Sequence, residues 1–115
     1  MYEKQGYLKD KYKIFHIKDR TDRDFSFHYH DFYKIVVFLE GKVTYSIEGK
    51  NYVLIPKDIV LVGRNEIHKP IVDPSCDYER IVVYLSQSFF SEASELSECF
   101  EIAKKDNMRR KLWLK

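Results

Sequence analysis

The sequence predicts a mostly β domain, in which an antiparallel barrel of short strands is followed by one C-terminal α-helix. Runs rich in β-branched and aromatic residues recur roughly every eight to twelve residues between positions 12 and 85, and clusters of Gly, Pro, Asp and Asn separate them. Beyond position 88 the apolar residues instead recur at intervals of three and four, which is the period of a helix.

The second of the first two predicted strands contains a pair of histidines. Segment 12–18 alternates loosely between apolar and polar residues, and the polar turn 21–24 ends it. Residues 25–30 alternate strictly, so their side chains should occupy two faces of a strand. One face is aromatic and the other polar: Phe25, Phe27 and Tyr29 against Ser26, His28 and His30.

Glycine turns separate the next three strands. The run 33–39 (YKIVVFL) is β-branched and aromatic throughout, which predicts a strand buried on both faces. Gly41 lies in the turn before strand 43–47, and Gly49 lies in the hairpin turn before strand 52–55.

The last strands are also bounded by turn residues. The turn 56–58 (Pro-Lys-Asp) precedes a short apolar strand at 59–62, and a loop leads to the extended segment 67–70. Asp, Pro and Ser at 73–75 break the chain before a long strand at 78–85 (YERIVVYL).

The predicted helix spans 88–105 and carries one apolar stripe. Ser88 and Ser91 are both candidate N-caps. The stripe either packs on the barrel or forms the seam of a homodimer. Its members are Phe89, Ala93, Leu96, Phe100 and Ala103.

The chain of 115 residues has the length of one domain, and its 44% hydrophobic and 33% charged residues are typical of a globular one. We divide it into an N-terminal arm (1–11), the barrel (12–87) and the amphipathic packing or dimerisation helix (88–105). Residues 106–115 form a basic tail or the start of a linker.

Composition argues against several classes of protein. No apolar run is long enough for a signal peptide or a membrane span, so we expect no membrane partner. Cys76 and Cys99 match neither a disulfide framework nor a zinc motif, and we therefore expect a cytoplasmic protein. A net charge of +2 is too small to make the whole chain a nucleic-acid binder.

Three histidines are the candidate functional feature. His28 and His30 point to the same side of a strand because side chains alternate across the pleat, and His68 lies near a later strand. Neutral imidazoles that converge on one point suit a divalent metal or a polar small molecule. A third alternative is a polar cluster satisfied by backbone or water.

These residues resemble the two cupin motifs. His28-Tyr29-His30, followed by Gly41, resembles the first motif, and Gly49, the turn 56–58 and His68 resemble the second. More narrowly, the ordered set of features over about residues 25–100 is similar to the N-terminal domain of AraC-type transcriptional regulators. The set includes the HYHDFY opening, the glycine hairpin, the histidine before a proline and the Tyr-Glu-Arg strand.

The resemblance implies a cupin-like double-stranded β-barrel (jelly roll) that binds a small-molecule effector, either a sugar or a small acid, and a helix that makes a homodimer. It also implies a C-terminal pair of helix-turn-helix motifs, and no such pair fits in this chain. We therefore expect contact with DNA only through that absent part. The Glu79-Arg80 pair resembles a feature of the family, and we assign it a structural role.

Lys34 departs from the cupin pattern, because many relatives carry a glutamate ligand at this position. An ammonium there would repel a divalent ion, which favours a metal-free polar pocket over a metal site. Lys34 either points to solvent, pairs with an acidic effector, or acts as a nucleophile of lowered pKa. The second departure is Lys57, which replaces a turn glycine.

We thus predict a non-enzymatic domain without a resident cofactor. The predicted ligand-binding residues are His28, His30, Lys34, His68 and Tyr33. If a divalent metal is bound after all, its ligands would be His28, His30 and His68, and the alternative function is a small metal-dependent cupin enzyme, an isomerase or a dioxygenase.

Overall fold

The fold was obtained as a computed structural model, which describes residues 3–4, 8–20, 25–92, 95, 98 and 100. It contains nine strands and one short helix in this part of the chain. The strands are β1 (Glu3–Lys4), β2 (Tyr12–Asp19), β3 (His28–Tyr29), β4 (Tyr33–Glu40), β5 (Val43–Ile47), β6 (Lys50–Val53), β7 (Ile59–Val62), β8 (His68–Val72) and β9 (Tyr78–Leu85), and the helix is α1 (Gln87–Glu92).

The strands form two sheets. One has five strands in the order β1-β3-β8-β5-β6, and the other has four in the order β2-β9-β4-β7. All pairings are antiparallel except that of β1 with β3. The mostly β fold with a short C-terminal helix confirms the predicted fold class.

The strand bounds agree with the sequence prediction to within a residue for β2, β4, β5, β7 and β9, whereas three strands differ. β8 ends at Val72 and not at position 70, and β1 lies in the segment predicted as an arm. β3 covers only His28–Tyr29, although strict alternation predicts a strand over 25–30. β6 is Lys50–Val53 and not 52–55, because the two-residue turn at Glu48 and Gly49 starts it earlier. Both turn residues have positive φ, 48° and 81°, as the tight hairpin turn that matches strand twist requires.

A single apolar cluster fills the space between the sheets. It is made by alternate residues of β4 and β5 together with side chains of β6, β7 and β9. Its buried members are Val36, Phe38, Val43, Tyr45, Ile47, Tyr52, Leu54, Val60, Val62 and Tyr78.

The prediction that β4 is buried on both faces is only partly right. Its inward face is buried, whereas its outward face is half-buried. Tyr33 and Ile35 on that outward face pack against a second cluster formed by Leu61, Phe90 and Phe100. The β-branched run therefore reflects a strand with the core on one side and helical side chains on the other.

The helix begins at Gln87, and its cap is neither Ser88 nor Ser91. Ser86 accepts a hydrogen bond from the amide of Phe89 at its side-chain oxygen (3.2 Å), which is the N-cap arrangement. The buried aromatic of the first turn is Phe90 rather than Phe89, and Phe100 of the predicted stripe is buried in the same cluster.

Several sequence predictions lie outside the described residues. They concern residues 1, 2 and 5–7 of the arm, the turn 21–24, Ala93, Leu96, Cys99, Ala103 and the basic tail 106–115. Within the part of the chain that is described, no helix has the length and apolarity needed to cross a membrane.

Candidate functional site

A cavity of about 190 Å³ opens between the two sheets. Polar groups from both sheets line it: His28 on β3, Tyr45 on β5, Lys34 on β4 and Arg80 on β9, with His30 just after β3. The same cavity has apolar walls. It therefore combines a few polar groups with hydrophobic surface, as small-molecule sites do.

Strand alternation positions these side chains. On β9, Tyr78, Arg80, Val82 and Tyr84 are two residues apart, so all four point into the cavity. On β4, Lys34 occupies the inward face that Val36 continues. The register aligns the two strands directly, because Lys34 pairs with Tyr84.

The structure brings the three predicted histidines together. His28 on β3 pairs in register with His68 on β8. The ring centroids of His28 and His68 are 4.4 Å apart, those of His28 and His30 are 5.1 Å apart, and those of His30 and His68 are 5.0 Å apart. One ring nitrogen from each residue lies within 4.8 Å of the other two.

Backbone carbonyls fix the tautomers of two of these rings. His28 Nδ1 lies 2.8 Å from the Ser26 carbonyl, and His68 Nδ1 lies 2.9 Å from the Glu66 carbonyl. A carbonyl oxygen only accepts, so each Nδ1 carries the proton and each Nε2 carries the lone pair. Such outer contacts orient an imidazole whose Nε2 binds a ligand.

His68 is the most deeply buried of the three. Its side chain has no solvent exposure, and its Nε2 makes no hydrogen bond to any described residue. Burial is the main cause that lowers the pKa of His68 to about 2, and the nearby Lys34 ammonium adds to the shift. His68 is thus a neutral imidazole with an available lone pair, set behind His28 and His30.

Lys34 is buried between the sheets and faces no acid among the described residues. Its Nζ donates to the Tyr45 hydroxyl at 2.7 Å and lies 5.4 Å from the centroid of that ring. Burial lowers the pKa of Lys34 to about 8. The solvent-exposed alternative for this lysine is therefore excluded, since only 9% of the residue is exposed.

Arg80 lines the same cavity, although the sequence analysis gave Glu79-Arg80 a structural role. The two residues point to opposite faces of β9 and pair elsewhere: Arg80 Nη1 with Asp19 Oδ1 at 2.6 Å, and Glu79 with His16 at 2.7 Å. The period-two pattern of β9 was the sequence feature that could have placed Arg80 beside the site.

Tyr33, the fifth predicted ligand residue, does not join the others. It lies on the outward face of β4, where its ring stacks on Phe90 with centroids 3.6 Å apart. Its hydroxyl donates to Gln87 Oε1 at 3.2 Å. Adjacent side chains on a strand point to opposite faces, so Lys34 lines the cavity whereas Tyr33 contacts the helix.

The histidine cluster fits a divalent metal in part. Three imidazole nitrogens at this spacing are the protein ligands of many zinc sites, and two of the tautomers are already set for coordination by Nε2. His28, His30 and His68 would hold such an ion, which would supply a Lewis acid. The Lys34 ammonium replaces the anionic ligand and disfavours the bound cation.

Solved structures place this fold among the cupins. It is similar to a cupin-like protein from Thermotoga maritima (TM-score 0.59, 19% identity, 69% of this chain and 60% of that one). It is also similar to an RmlC-like cupin with a double-stranded β-helix fold from Methanocaldococcus jannaschii (TM-score 0.59, 20% identity, 75% and 81%). A third similar structure is a predicted oxalate decarboxylase from the same Thermotoga species (TM-score 0.58, 19% identity, 66% and 68%).

The family is narrower than the fold. The model of the AraC-like ligand binding domain matches residues 12–107. This chain therefore belongs to the family of AraC-like ligand binding domains, and the resemblance seen in the sequence is confirmed. No curated protein matches the chain closely enough to be counted as a relative.

Proposed function

We propose that this chain is the effector-sensing and dimerisation part of an AraC-type transcriptional regulator. The observation that carries the proposal is the cavity between the sheets, in which Lys34, His28 and His30 meet inside a ligand-binding domain. Polar groups inside a cavity offer directed hydrogen bonds, and a small polar ligand of matching shape could bind to them.

The ligand must be small. A volume of about 190 Å³ corresponds to roughly six water molecules, since each water occupies about 30 Å³ in the liquid. A single sugar ring or a small acid is of this order, whereas a disaccharide or a nucleotide is larger. The proposed effector is therefore a small metabolite.

Binding would act by shifting a conformational equilibrium. Lys4 on β1 pairs with Asp31 at 2.8 Å, just after the site strand β3, so the beginning of the chain lies beside the histidines. A ligand that favours one arrangement of these segments, or of a homodimer, would reposition an attached pair of helix-turn-helix motifs. DNA contact belongs to those motifs and not to this domain.

We also propose that the site binds its ligand without converting it. Catalysis would need a general acid, a general base or an open metal position aimed at the substrate. The groups in the cavity also suit recognition: the imidazole of His28, which a carbonyl orients, the imidazole of His30, two cationic side chains and tyrosine hydroxyls. A ligand incubated with the domain and followed by NMR should stay unchanged.

A thermal-shift screen of small polar metabolites tests the sensing role. A true effector should raise the melting temperature in proportion to ligand occupancy, because binding to the folded state stabilises it. The double variant His28→Ala/His30→Ala should lose the shift, and Lys18→Met, on the exposed part of β2, should keep it. The absence of a shift with every compound would contradict the proposal.

Homodimerisation is a separate part of the proposal. Sedimentation of the purified domain over a range of concentrations, with and without a ligand found in the screen, measures it directly. We expect a monomer–dimer equilibrium. A strictly monomeric domain under all of these conditions would remove the dimerisation role while leaving the sensing role intact.

The histidine cluster also favours a second candidate, a metal-dependent cupin enzyme. One of the similar structures is a predicted oxalate decarboxylase, and the three imidazoles here have donor type and spacing suited to a divalent ion. Elemental analysis after purification in metal-containing medium decides between the candidates. Stoichiometric metal that is lost in His68→Phe would support the second.

A further inference from the structure

The cavity is positively charged. Lys34 and Arg80 both line it, and none of the described lining residues is an aspartate or a glutamate. Lys34 contacts only the Tyr45 hydroxyl, so no described acid neutralises its ammonium. A buried ammonium without a counter-ion is strongly unfavourable in a domain of ordinary stability.

Arg80 is only partly neutralised. Asp19, the acid that pairs with it, is 47% exposed and lies outside the cavity. The hydrogen bonds of the guanidinium to Asp19 and to the Tyr78 carbonyl use the same nitrogen, Nη1. The fork geometry of arginine leaves its other N–H donors for a further acceptor.

The charged groups of the cavity only donate, whereas its neutral polar groups, such as the His28 imidazole and the tyrosine hydroxyls, can also accept. The ammonium and the guanidinium only donate, and the tyrosine hydroxyls of Tyr78 and Tyr84 donate readily. Neutral sugars are recognised through hydroxyl groups that both donate and accept, and the described lining contains no carboxylate or carboxamide to accept from them. The two cationic donors therefore match an acceptor-rich anion.

The rest of the lining is apolar. Phe15 and Ile17 on β2, Phe25, Val36, Pro70 and Val82 provide hydrophobic walls. An inorganic anion would leave these walls in contact with water, whereas an organic acid would bury its carbon skeleton against them. The volume of about 190 Å³ limits that skeleton to a few carbons or one ring.

We infer that the ligand of this domain is a small organic monoanion, a carboxylate with a compact apolar body, whose charged head lies between Lys34 and Arg80. This inference rests on the proposed sensing function and deepens it. Lys34 is the principal anchor, because it is the buried cation without an acidic partner. Arg80 is the second, and Tyr84, aligned with Lys34 on the neighbouring strand, supplies a hydroxyl.

The test compares acids with their isosteric amides, which differ in charge and hardly in shape. Butyrate with butyramide and benzoate with benzamide are added to the purified domain at pH 7, and affinity is measured by calorimetry and by thermal shift. We expect each acid to bind at least about tenfold more tightly than its amide, since charge-assisted hydrogen bonds contribute about 1.5–3 kcal/mol. Inorganic phosphate, which lacks an apolar body, should bind more weakly than either acid.

Single-residue variants test which side chains bind the carboxylate. Lys34→Met keeps the length of the side chain and removes the charge, and it should weaken binding of the acids about 10- to 100-fold without affecting the amides. Arg80→Gln should weaken acid binding as well. Lys18→Met is the matched control, because Lys18 is an exposed lysine next to the lining residue Ile17, and it should leave binding unchanged. Circular dichroism verifies that each variant is folded.

The outcomes separate the inference from the function on which it rests. Equal binding of acids and amides, or tight acid binding that survives in both Lys34→Met and Arg80→Gln, would overturn the inference. Binding of neutral sugars in the same cavity, with no binding of acids, would overturn it and leave the sensing function standing. If no compound of either kind binds, both fail.

Discussion

Lys34 is the residue with the largest conflict between burial and charge. Its ammonium lies between the sheets, and its hydrogen-bond partner is a neutral hydroxyl, that of Tyr45. Such a group reduces the stability of the empty domain and favours any anion that enters. If the proposed anion binds there, position 34 exchanges some stability of the empty domain for selection of that ligand.

The first prediction concerns the pH dependence that Lys34 confers. Burial lowers the pKa of Lys34 from 10.5 to about 8, so between these values the folded state releases a proton that the unfolded state keeps. Its contribution to the free energy of unfolding therefore rises as pH increases from 8 to 10.5. Below pH 8 the full cost of the buried charge, on the order of 3 kcal/mol, is present.

Lys34→Met should be more stable than the parent at pH 7, by roughly 2 kcal/mol because Tyr45 loses a partner, and this advantage should shrink toward pH 10. Urea unfolding of both proteins at pH 7 and pH 10 measures the difference. The other charged or titratable groups around Lys34 include Tyr45, Arg80, Tyr84 and the three histidines of the cluster. Parallel stability curves for parent and variant would show that Lys34 is not the titrating group.

Among the elements, the turn after β6 carries a strained residue. Lys57 has φ of 77°, in the left-handed region where a side chain is unfavourable and glycine is not. The preceding proline and the hydrogen bond from Asp58 N to Ile55 O at 3.0 Å match a turn that prefers glycine at this position. The resemblance to the cupin motifs indicates that Lys57 replaces a glycine, but it does not predict the backbone conformation of Lys57.

The second prediction follows from that φ. Lys57→Gly should raise the free energy of unfolding by roughly 1 kcal/mol, because relief of the left-handed strain exceeds the added entropy of the unfolded chain. Chemical denaturation measures it. Lys42→Gly is the matched control: Lys42 is exposed and has no positive φ, so the same change should destabilise there. A loss of stability at both positions would contradict the prediction.

The helix is attached to the barrel mainly by aromatic stacking. Phe90 is 6% exposed, lies flat on Tyr33 and contacts Phe100 edge-on, with ring centroids 5.2 Å apart. These contacts cover the outward face of β4, which would otherwise be an exposed hydrophobic surface.

The third prediction is that Phe90→Ala destabilises the domain by about 3 kcal/mol, as expected for removal of a buried aromatic ring. Phe89→Ala should cost clearly less, because Phe89 is only partly buried and contacts Tyr12 at 5.8 Å between ring centroids. Thermal and chemical denaturation of the two variants give the comparison. Equal losses would mean that the helix turns a different face toward the barrel.

At the scale of the whole molecule, the sheet order predicts where stability is concentrated. β4 and β9 have strand neighbours on both sides, whereas β2, β7 and β6 are edge strands. Backbone amides in the middle of a sheet are protected from solvent by bonds on both sides.

The fourth prediction is a gradient in amide hydrogen exchange. Peptides from β4 and β9 should exchange most slowly, and peptides from β2 and β6 should exchange sooner. Mass spectrometry of deuterated peptides measures this order. A butyrate- or benzoate-bound domain should show added protection at β3, where His28 lies, and an unchanged β6 serves as the internal reference. Faster exchange in β9 than in β2 would contradict the sheet order.

Much of this architecture could be predicted from the sequence, because local patterns carry it. The alternation of residues 28–30, the β-branched run of β4 and the glycine turns all depend on near neighbours in the chain. The meeting of His28, His30 and His68 was also foreseen, because ordered motifs of a known family contained them.

The rest depends on tertiary contacts. The register that the resemblance implies places Tyr33 near the histidines, yet the pleat directs its side chain to the helix. Glu79-Arg80 resembles a family feature that could be an ion pair, yet the cross-strand partners Asp19 and His16 separate the two charges. Such pairings depend on which strands become neighbours, which no local pattern specifies.

The opposite orientations of Tyr33 and Lys34 have a mechanical consequence. Their Cα atoms are consecutive and hence about 3.8 Å apart, yet one side chain reaches the ligand cavity and the other supports the helix. A ligand that draws Lys34 toward itself would also displace the peptide unit that joins Lys34 to Tyr33, and Phe90 stacks on the ring of Tyr33. Strand β4 therefore separates the cavity from the helix by the thickness of one strand, and a displacement on the cavity side would be transmitted to the helix side.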